Sequence, residues 1–69
     1  MREIRIKDDF IKLGQSLKLA HLVENGAEAK EVVQAGLVKV NGETDTRRGR
    51  KLVGGDVVEY RGESYQIVQ

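Results

Sequence analysis

The sequence predicts an α+β fold in which two helices pack on one face of a small, mostly antiparallel sheet of about four to five short strands. Three observations lead to this prediction. An alternating segment opens the chain, two segments with helical apolar spacing follow it, and short apolar runs separated by glycine-containing turns fill the second half. All of this lies within 69 residues, so we interpret residues 1–69 as a single domain with a thin core.

The first strand and the first helix follow from the spacing of apolar residues. In "EIRIK", Ile4 and Ile6 fall on one face and the charged residues on the other, which predicts a half-buried strand. A helix is predicted from Phe10 to His21, because apolar residues recur there at intervals of three and four. The resulting buried stripe contains Phe10, Leu13, Leu17 and Ala20.

Polar and small residues refine the prediction for this helix. Asp8 or Asp9 precedes it and would cap its first turn. Gly14 is unusual inside a helix, where it costs about 0.5–1 kcal/mol relative to alanine; either it permits a neighbour to approach closely or it weakens the helix prediction. His21 is the only histidine, and we interpret it as a surface residue at the helix end.

The second helix has clearer end signals. Asn25 is a good N-cap, and Glu28, three residues later, completes a capping-box pattern. Gly36 stands where a left-handed residue is expected after the last turn. The apolar face of this helix consists of Ala29, Val32 and Val33.

The remainder of the chain is predicted to be β-structure. "LVKV" forms a strand with Val38 and Val40 on one face, and Asn41-Gly42 then predicts a tight hairpin turn. Gly54-Gly55-Asp56 turns the chain into "VVEY", and Arg61-Gly62 turns it into "SYQIV". The residues assigned a structural role in helix ends and turns are Gly36, Asn41, Gly42, Gly55 and Asp56.

Composition excludes several classes of protein. Charged residues of both signs make up 33% of the chain, and aliphatic residues are frequent enough for a core, which argues against disorder. There is no cysteine, so neither disulfides nor thiolate metal sites support the fold. The N-terminus lacks the apolar core of a signal peptide, and no stretch approaches the ~20 apolar residues of a membrane span. We expect a soluble, cytoplasmic monomer with no membrane partner.

Catalytic chemistry is not indicated. A catalytic site needs a nucleophile with a base, a set of metal ligands, or paired carboxylates, and His21 has no marked partner for any of these roles. The phosphate-binding GxxxxGK[ST] loop is absent. We therefore expect no catalytic residue, no metal, no cofactor and no small-molecule substrate.

The distribution of positive charge is more informative. The formal net charge is only +1, yet four of the six residues from Thr46 to Lys51 are basic. Guanidinium groups suit phosphate because their planar fork donates two parallel hydrogen bonds. If the helices and this loop face one way, they form a cationic surface for a nucleic-acid backbone. The candidate RNA-binding residues are Lys12, Lys18, Lys30, Lys39, Arg47, Arg48, Arg50 and Lys51.

Other features limit this interpretation. For any single lysine, a solvated charged face is the commoner explanation. Acidic residues lie nearby in sequence, so the positive surface must be a patch. Phe10 is assigned to the core and both tyrosines to late strands, so no aromatic platform for base stacking is predicted. Recognition of backbone and shape is favoured.

The segment "NGAEAKEVVQAGLVKVNGE" resembles the RNA-binding domain of small-subunit ribosomal protein four, also called the αL motif. In that motif a helix–turn–helix precedes a strand reading G-x-V-x-V-N-G, which corresponds here to Gly36 through Gly42. A later G-D turn matches Gly55-Asp56, and the resemblance spans roughly Phe10 to Tyr60. Where the wider family often has Ser-Arg, this chain has Gly26 and Ala27. The segments "LKL", "NGAEAK" and "TRRGRK" instead resemble the small stand-alone bacterial members of the family.

The resemblance implies a protein that binds structured RNA, ribosomal or transfer RNA, in ribosome assembly or RNA metabolism. The absent arginine shifts the expected RNA surface towards Lys18, Lys30 and the loop from Arg47 to Lys51. Two alternatives stay open. A protein-interaction adaptor could use an exposed edge strand or apolar patch. A ubiquitin-like sulfur carrier is less favoured, because such carriers need a C-terminal Gly-Gly and this chain ends in "IVQ".

Overall fold

Two helices and seven short strands make up the structure, a computed structural model that describes residues 1–69. In chain order the elements are β1 (Arg2–Arg5), β2 (Ile11–Lys12), α1 (Leu13–Leu19), α2 (Gly26–Gln34), β3 (Val38–Val40), β4 (Glu43–Thr44), β5 (Lys51–Leu52), β6 (Val57–Tyr60) and β7 (Glu63–Val68). The predicted α+β fold is confirmed.

The main sheet has five strands in the order β1-β7-β6-β3-β4. Its pairs are antiparallel except for β1, which runs parallel to β7. The predicted Asn41-Gly42 turn between β3 and β4 is confirmed, since both residues have positive φ, at 52° and 86°. Arg61 and Gly62, at 55° and 77°, form the equivalent turn between β6 and β7. A separate two-stranded sheet joins β2 to β5.

The core lies between the helices and one face of the main sheet. Fifteen buried hydrophobic residues form one cluster, to which α1 contributes Leu13 and Leu17 and α2 contributes Ala29 and Val33. The sheet contributes alternate residues, such as Val58 and Ile67, because side chains of a strand point to its two faces in turn. A buried hydroxyl pair links the two layers: the Tyr65 and Ser16 oxygens lie 2.6 Å apart.

The start of α1 differs from the prediction. The helix begins at Leu13, because Ile11 and Lys12 instead pair with β5. The N–H groups of Leu13 and Gly14 donate to the carbonyls of Arg50 and Arg48, at 2.8 and 3.0 Å. Loop carbonyls therefore satisfy two of the donors that a helix N-terminus leaves free.

Two predictions that depended on the earlier start were wrong. Asp8 and Asp9 do not cap α1, since its N-cap is Lys12 and the Gln15 side chain accepts the Lys12 N–H at 3.2 Å. Phe10 lies before the helix and is not a core residue, because it is 38% exposed. The remaining members of the predicted stripe, Leu13, Leu17 and Ala20, are buried.

The two helices end in the same way. After α1, the N–H of Leu22 donates to Leu17 and that of His21 to Lys18. After α2, the corresponding bonds run from Leu37 to Val32 and from Gly36 to Val33. This pair of bonds defines a Schellman motif, which needs a left-handed residue at its centre. Gly36 fills that position with φ of 78°, as predicted, and His21 fills it with φ of 59°.

At the start of α2 the predicted Asn25 cap is confirmed, whereas the predicted capping box does not form with Asn25 itself. The Asn25 side chain accepts the N–H of Glu28 at 2.8 Å. The Glu28 carboxylate reaches back to the N–H of Glu24 at 2.7 Å, one residue beyond the usual capping-box partner.

Candidate nucleic-acid interface

One acidic residue organises the loop that carries most of the positive charge. Asp45 has a side chain that is only 5% exposed. It accepts hydrogen bonds from the backbone N–H, Nε and Nη2 of Arg47, at 2.9, 3.1 and 2.9 Å, and from Nη1 of Arg50 at 2.8 Å. These donors, the Arg47 side chain foremost, hold the pKa of the Asp45 carboxyl well below its usual range, against the effect of burial. The carboxylate in turn raises the pKa of Arg47.

The arginines of this loop therefore have different roles. Arg50 is engaged by Asp45, and its side chain is 30% exposed. Arg47 is also paired, but its side chain is 71% exposed, so it remains largely accessible to solvent. Arg48 forms no salt bridge and is exposed. Arg48 is thus the arginine of the loop that has no acidic partner.

Gly14 explains how Arg48 comes to lie against α1. A Cβ atom at Gly14 would stand 3.2 Å from Cγ of Arg48 and 3.6 Å from its carbonyl oxygen. Such a contact is tighter than ordinary van der Waals packing. The expectation that Gly14 permits a close approach is confirmed, and the neighbour is the basic loop.

A cleft lies where α1, the start of α2 and the basic loop meet. Its volume is about 260 Å³. Three of its lining residues are cationic and none is acidic. We call it the basic cleft; its lining consists of Lys12, Gly14, Gln15, Lys18, Gly26, Ala29, Arg48 and Gly49. Glycine and alanine supply half of this lining, so a bulky anion meets little side-chain obstruction.

A second concentration of charge adjoins the cleft. Lys12 and Lys51 are direct partners in the β2–β5 pair, and both are exposed, whereas the neighbouring pair Ile11 and Leu52 is buried. Like charges directly opposite one another destabilise a strand pair. Lys51 places its Nζ 4.7 Å from the centroid of the Phe10 ring, which stabilises this cation. An anion bound between the two lysines would remove the remaining repulsion.

The structure places the other two candidates elsewhere. Lys30 is an exposed residue of α2 that does not line the basic cleft. Lys39 is paired in register with Glu59 and Thr44, and it projects from the sheet face opposite to buried Val38 and Val40. Of the eight candidates, Lys12, Lys18 and Arg48 therefore meet in one cleft, with Lys51 beside it.

Sequence reasoning missed three residues near this surface. Gln15 lines the cleft but carries no charge, so a search for cations does not find it. Arg5 and Lys7 line a neighbouring groove together with Lys18. In the sequence, Arg5 and Lys7 alternate with Ile4 and Ile6, which already predicts that their side chains point away from the core. That alternation could have identified them as surface cations.

No group of three or more His, Cys, Asp or Glu side chains is arranged to hold a metal ion. Neither helix has the length and apolar character needed to cross a membrane.

The turn residues have their predicted roles. Gly55 has φ of 101°. The Asp56 carboxylate accepts hydrogen bonds from the N–H of Val53 at 2.8 Å and from the Asn41 side-chain amide at 3.0 Å.

The fold defines a small α+β module of the αL type, with a cleft lined by three cationic residues beside its helix pair. Comparison with known families agrees with this class. The S4 domain matches residues 4–68, nearly the whole chain, and the chain belongs to the S4 domain family.

Two relatives are similar over most of their length. One is the probable ribosome maturation protein RlbA of Bacillus subtilis, 50% identical over 66 residues, which cover 94% of this chain and 93% of the relative. The other is the putative RNA-binding protein YbcJ of Escherichia coli, 40% identical over 62 residues, which cover 90% of this chain and 89% of the relative. Their names describe RNA binding and ribosome maturation, and neither names a catalysed reaction.

Solved structures show the same fold. The solution structure of YbcJ from E. coli, described as an αL motif involved in RNA binding, superposes with a TM-score of 0.76 and 37% identity, covering 100% of this chain and 89% of that one. The 30S ribosomal protein S4e of Thermoplasma acidophilum gives a TM-score of 0.65 and 33% identity. There the match covers 87% of this chain but only 32% of the larger protein.

Proposed function

We propose that this protein is a non-catalytic RNA-binding protein of the cytoplasm that contacts the phosphate backbone of structured RNA through the basic cleft. The observation that carries the proposal is the meeting of Lys12, Lys18 and Arg48 in a cleft without an acidic residue. Family membership and the names of the relatives support RNA as the ligand. The name of the B. subtilis relative favours ribosomal RNA and a role in ribosome maturation, with transfer RNA as the other candidate.

The geometry of the basic cleft supports one mode of contact. Arg48 presents a guanidinium fork, which binds a phosphate through two parallel hydrogen bonds, while Lys12 and Lys18 act as point charges from the α1 side. The small residues of the lining allow a sugar–phosphate backbone to approach the protein main chain. Lys51, and the exposed part of Arg47, extend the positive surface along the strand and loop that border the cleft. Such contacts position an RNA by its shape rather than its sequence.

The test is a double substitution that neutralises the cleft without disturbing the fold. Lys18→Gln with Arg48→Gln removes two cations that form no salt bridge, and the Arg48 carbonyl remains free to bond Gly14. Changing Arg47 or Arg50 instead would leave the buried Asp45 carboxylate short of partners and confuse binding with stability. We expect affinity for ribosomal RNA fragments to fall by about 10- to 100-fold near 0.1 M salt.

Salt dependence provides a second measurement. Log affinity should fall linearly with log salt, and the double variant should have a slope shallower by about 1.4–1.8, from about 0.7–0.9 for each lost phosphate contact. Fluorescence anisotropy with labelled RNA measures both quantities. Crosslinking followed by sequencing of the bound RNA would separate ribosomal from transfer RNA.

The matched control removes the same charge elsewhere. Lys39 and Arg61 line a separate depression of about 180 Å³. Lys39→Gln with Arg61→Gln should change affinity far less than the cleft variant, and it also tests the predicted contact at Lys39. Equal losses in the two double variants would show that overall charge, or a contact at Lys39, contributes as much as the basic cleft, and the cleft would not be the specific interface. Unchanged affinity in the cleft variant would refute the proposed interface.

A further inference from the structure

A second groove adjoins the basic cleft along α1. It has a volume of about 690 Å³ and lies between the end of β1, the segment after it, and the exposed face of α1. Gln15 and Lys18 line both the groove and the cleft, so the two form one continuous surface. We call it the aromatic groove, because Phe10 is its only aromatic lining residue.

Phe10 is an unusual residue on this surface. It is the only phenylalanine of the chain, and it is 38% exposed. Lys51 places its ammonium group 4.7 Å from the ring centroid but does not line the groove. One face of the ring is therefore covered by a cation, and the ring is left accessible from the groove. Leu19, 53% exposed, adds apolar surface nearby.

The charges around this apolar surface favour an anionic ligand. Arg5, Lys7 and Lys18 line the groove, and Asp8 is the only acidic residue among its lining. Gln15 adds a hydrogen-bonding group: its Oε1 accepts the Lys12 N–H, which leaves the amide NH₂ as a donor. A flat apolar surface beside cations and one amide donor matches an unpaired nucleobase with its flanking phosphates.

We propose that the aromatic groove binds one unpaired nucleobase of the RNA whose phosphates occupy the basic cleft. The base stacks against the free side of the Phe10 ring, and Lys18 bridges the cleft and the groove by contacting the phosphate between them. This inference rests on the proposed function, and it adds recognition of a bulged or looped-out base to recognition of the backbone. An acidic peptide would satisfy the charges, but it would not need a groove continuous with a phosphate-binding cleft.

The experiment compares three synthetic RNA hairpins: one fully paired, one with a single-nucleotide bulge, and one with an abasic residue at the bulge. The wild-type protein should bind the bulged hairpin most tightly. Phe10→Ala should weaken binding of the bulged hairpin by about 5- to 150-fold, the range of stacking on an aromatic side chain, and leave the paired and abasic hairpins unchanged. Phe10→Trp should retain the preference for the bulge, because it retains a flat ring.

Controls separate stacking from folding. Leu37→Ala removes an apolar side chain that is 57% exposed and does not line either the groove or the cleft, and it should bind all three hairpins as the wild type does. Thermal unfolding of each variant checks that the fold persists, and Phe10→Leu, which keeps apolar bulk without a ring, should resemble Phe10→Ala in binding.

Each other outcome overturns the proposal in a recognisable way. Equal wild-type affinity for the three hairpins, with a Phe10→Ala variant that is unchanged, would exclude a base in the groove while leaving the basic cleft as the RNA site. Loss of affinity for all three hairpins in Phe10→Ala would assign Phe10 a general role instead. No binding to any hairpin would refute both proposals. Unchanged RNA binding together with loss of a nuclease-resistant protein partner would assign the groove to a peptide.

Discussion

Replacing Asp45 with asparagine tests whether this residue organises the basic loop. Asparagine keeps one oxygen to accept the Arg47 N–H, but it lacks the charge and the second oxygen that accepts from Arg50. A hydrogen bond between a buried carboxylate and a charged donor contributes about 1.5–3 kcal/mol, and we assign no stability to the exposed Arg47 side chain. Asp45→Asn should therefore lower the free energy of unfolding by about 1.5–3 kcal/mol and the melting temperature by about 6–24 °C.

The pH dependence of this loss follows from the lowered pKa of Asp45. Because the native pKa is below that of the unfolded chain, about 3.9 for an unperturbed aspartate, the contribution is complete above the unfolded pKa. It is lost as pH falls towards the native pKa. The difference in stability between the wild type and Asp45→Asn should thus be constant from pH 7 to pH 5 and shrink below pH 4.

Urea unfolding followed by circular dichroism at pH 7, 5 and 3 measures both effects. Glu43→Gln is the matched control, since Glu43 is an exposed acid two residues from Asp45 and forms no salt bridge. Its free energy of unfolding should stay within about 0.5 kcal/mol of that of the wild type. If Asp45→Asn is no less stable than Glu43→Gln, or if its deficit is the same at pH 3 as at pH 7, the assigned role of Asp45 is wrong.

Two further predictions concern the helix ends and the buried hydroxyl pair. His21→Gly should stabilise the protein by about 0.5–1 kcal/mol, because glycine adopts the left-handed conformation without strain. Gly36→Ala should destabilise the protein by a similar amount for the same reason. Thermal unfolding of the two variants and the wild type measures both changes. Burial raises the pKa of Tyr65 to about 12, so stability should fall as pH rises from about 10, where the unfolded chain ionises, to about 12. Tyr65→Phe should lower the free energy of unfolding by about 1 kcal/mol at pH 7, because the hydrogen bond with Ser16 is lost, and it should reduce the loss of stability at alkaline pH. Urea unfolding at pH 7 and at alkaline pH measures both effects. Spectrophotometric titration compares the wild type with Tyr65→Phe, and a wild type without a tyrosine of raised pKa would contradict the prediction.

Features set by local chemistry could be predicted from the sequence. The Asn25 cap, the left-handed Gly36 and the Asn41-Gly42 turn each depend on residues within a few positions, whose conformational preferences are strong. The alternation of apolar and polar residues likewise identified β3. When one face of a strand lies in the core, Val38 and Val40 are buried together only if Lys39 points to the other face.

Features set by distant contacts could not be predicted. The start of α1 depends on the pairing of Ile11 with Leu52, and no periodicity reveals a partner 41 positions away. For the same reason, apolar spacing assigned Phe10 to the core although the backbone leaves the helical path before it. The spacing of polar residues was equally unable to show that Asp45 is buried under two arginines.

The candidate interface shows the same division. Its residue types were evident in the sequence, because four cations in six positions are conspicuous in a chain of net charge +1. Their grouping was not: the structure brings Lys12, Lys18 and Arg48 into one cleft and leaves Lys39 on the opposite face of the sheet. These three residues come together because the basic loop packs against α1 at Gly14, and the pattern of charges in the sequence does not indicate that contact.

The hydrogen bonds that join the basic loop to α1 have a consequence for the kinetics of recognition. Because Leu13 and Gly14 hold the loop main chain at Arg50 and Arg48, its conformational freedom is already lost during folding. An RNA that arrives at the cleft then has only side chains to order, at about 0.5–1.5 kcal/mol each. Association should be a single step whose rate is set by electrostatic encounter, and it should slow with added salt without a separate rearrangement phase.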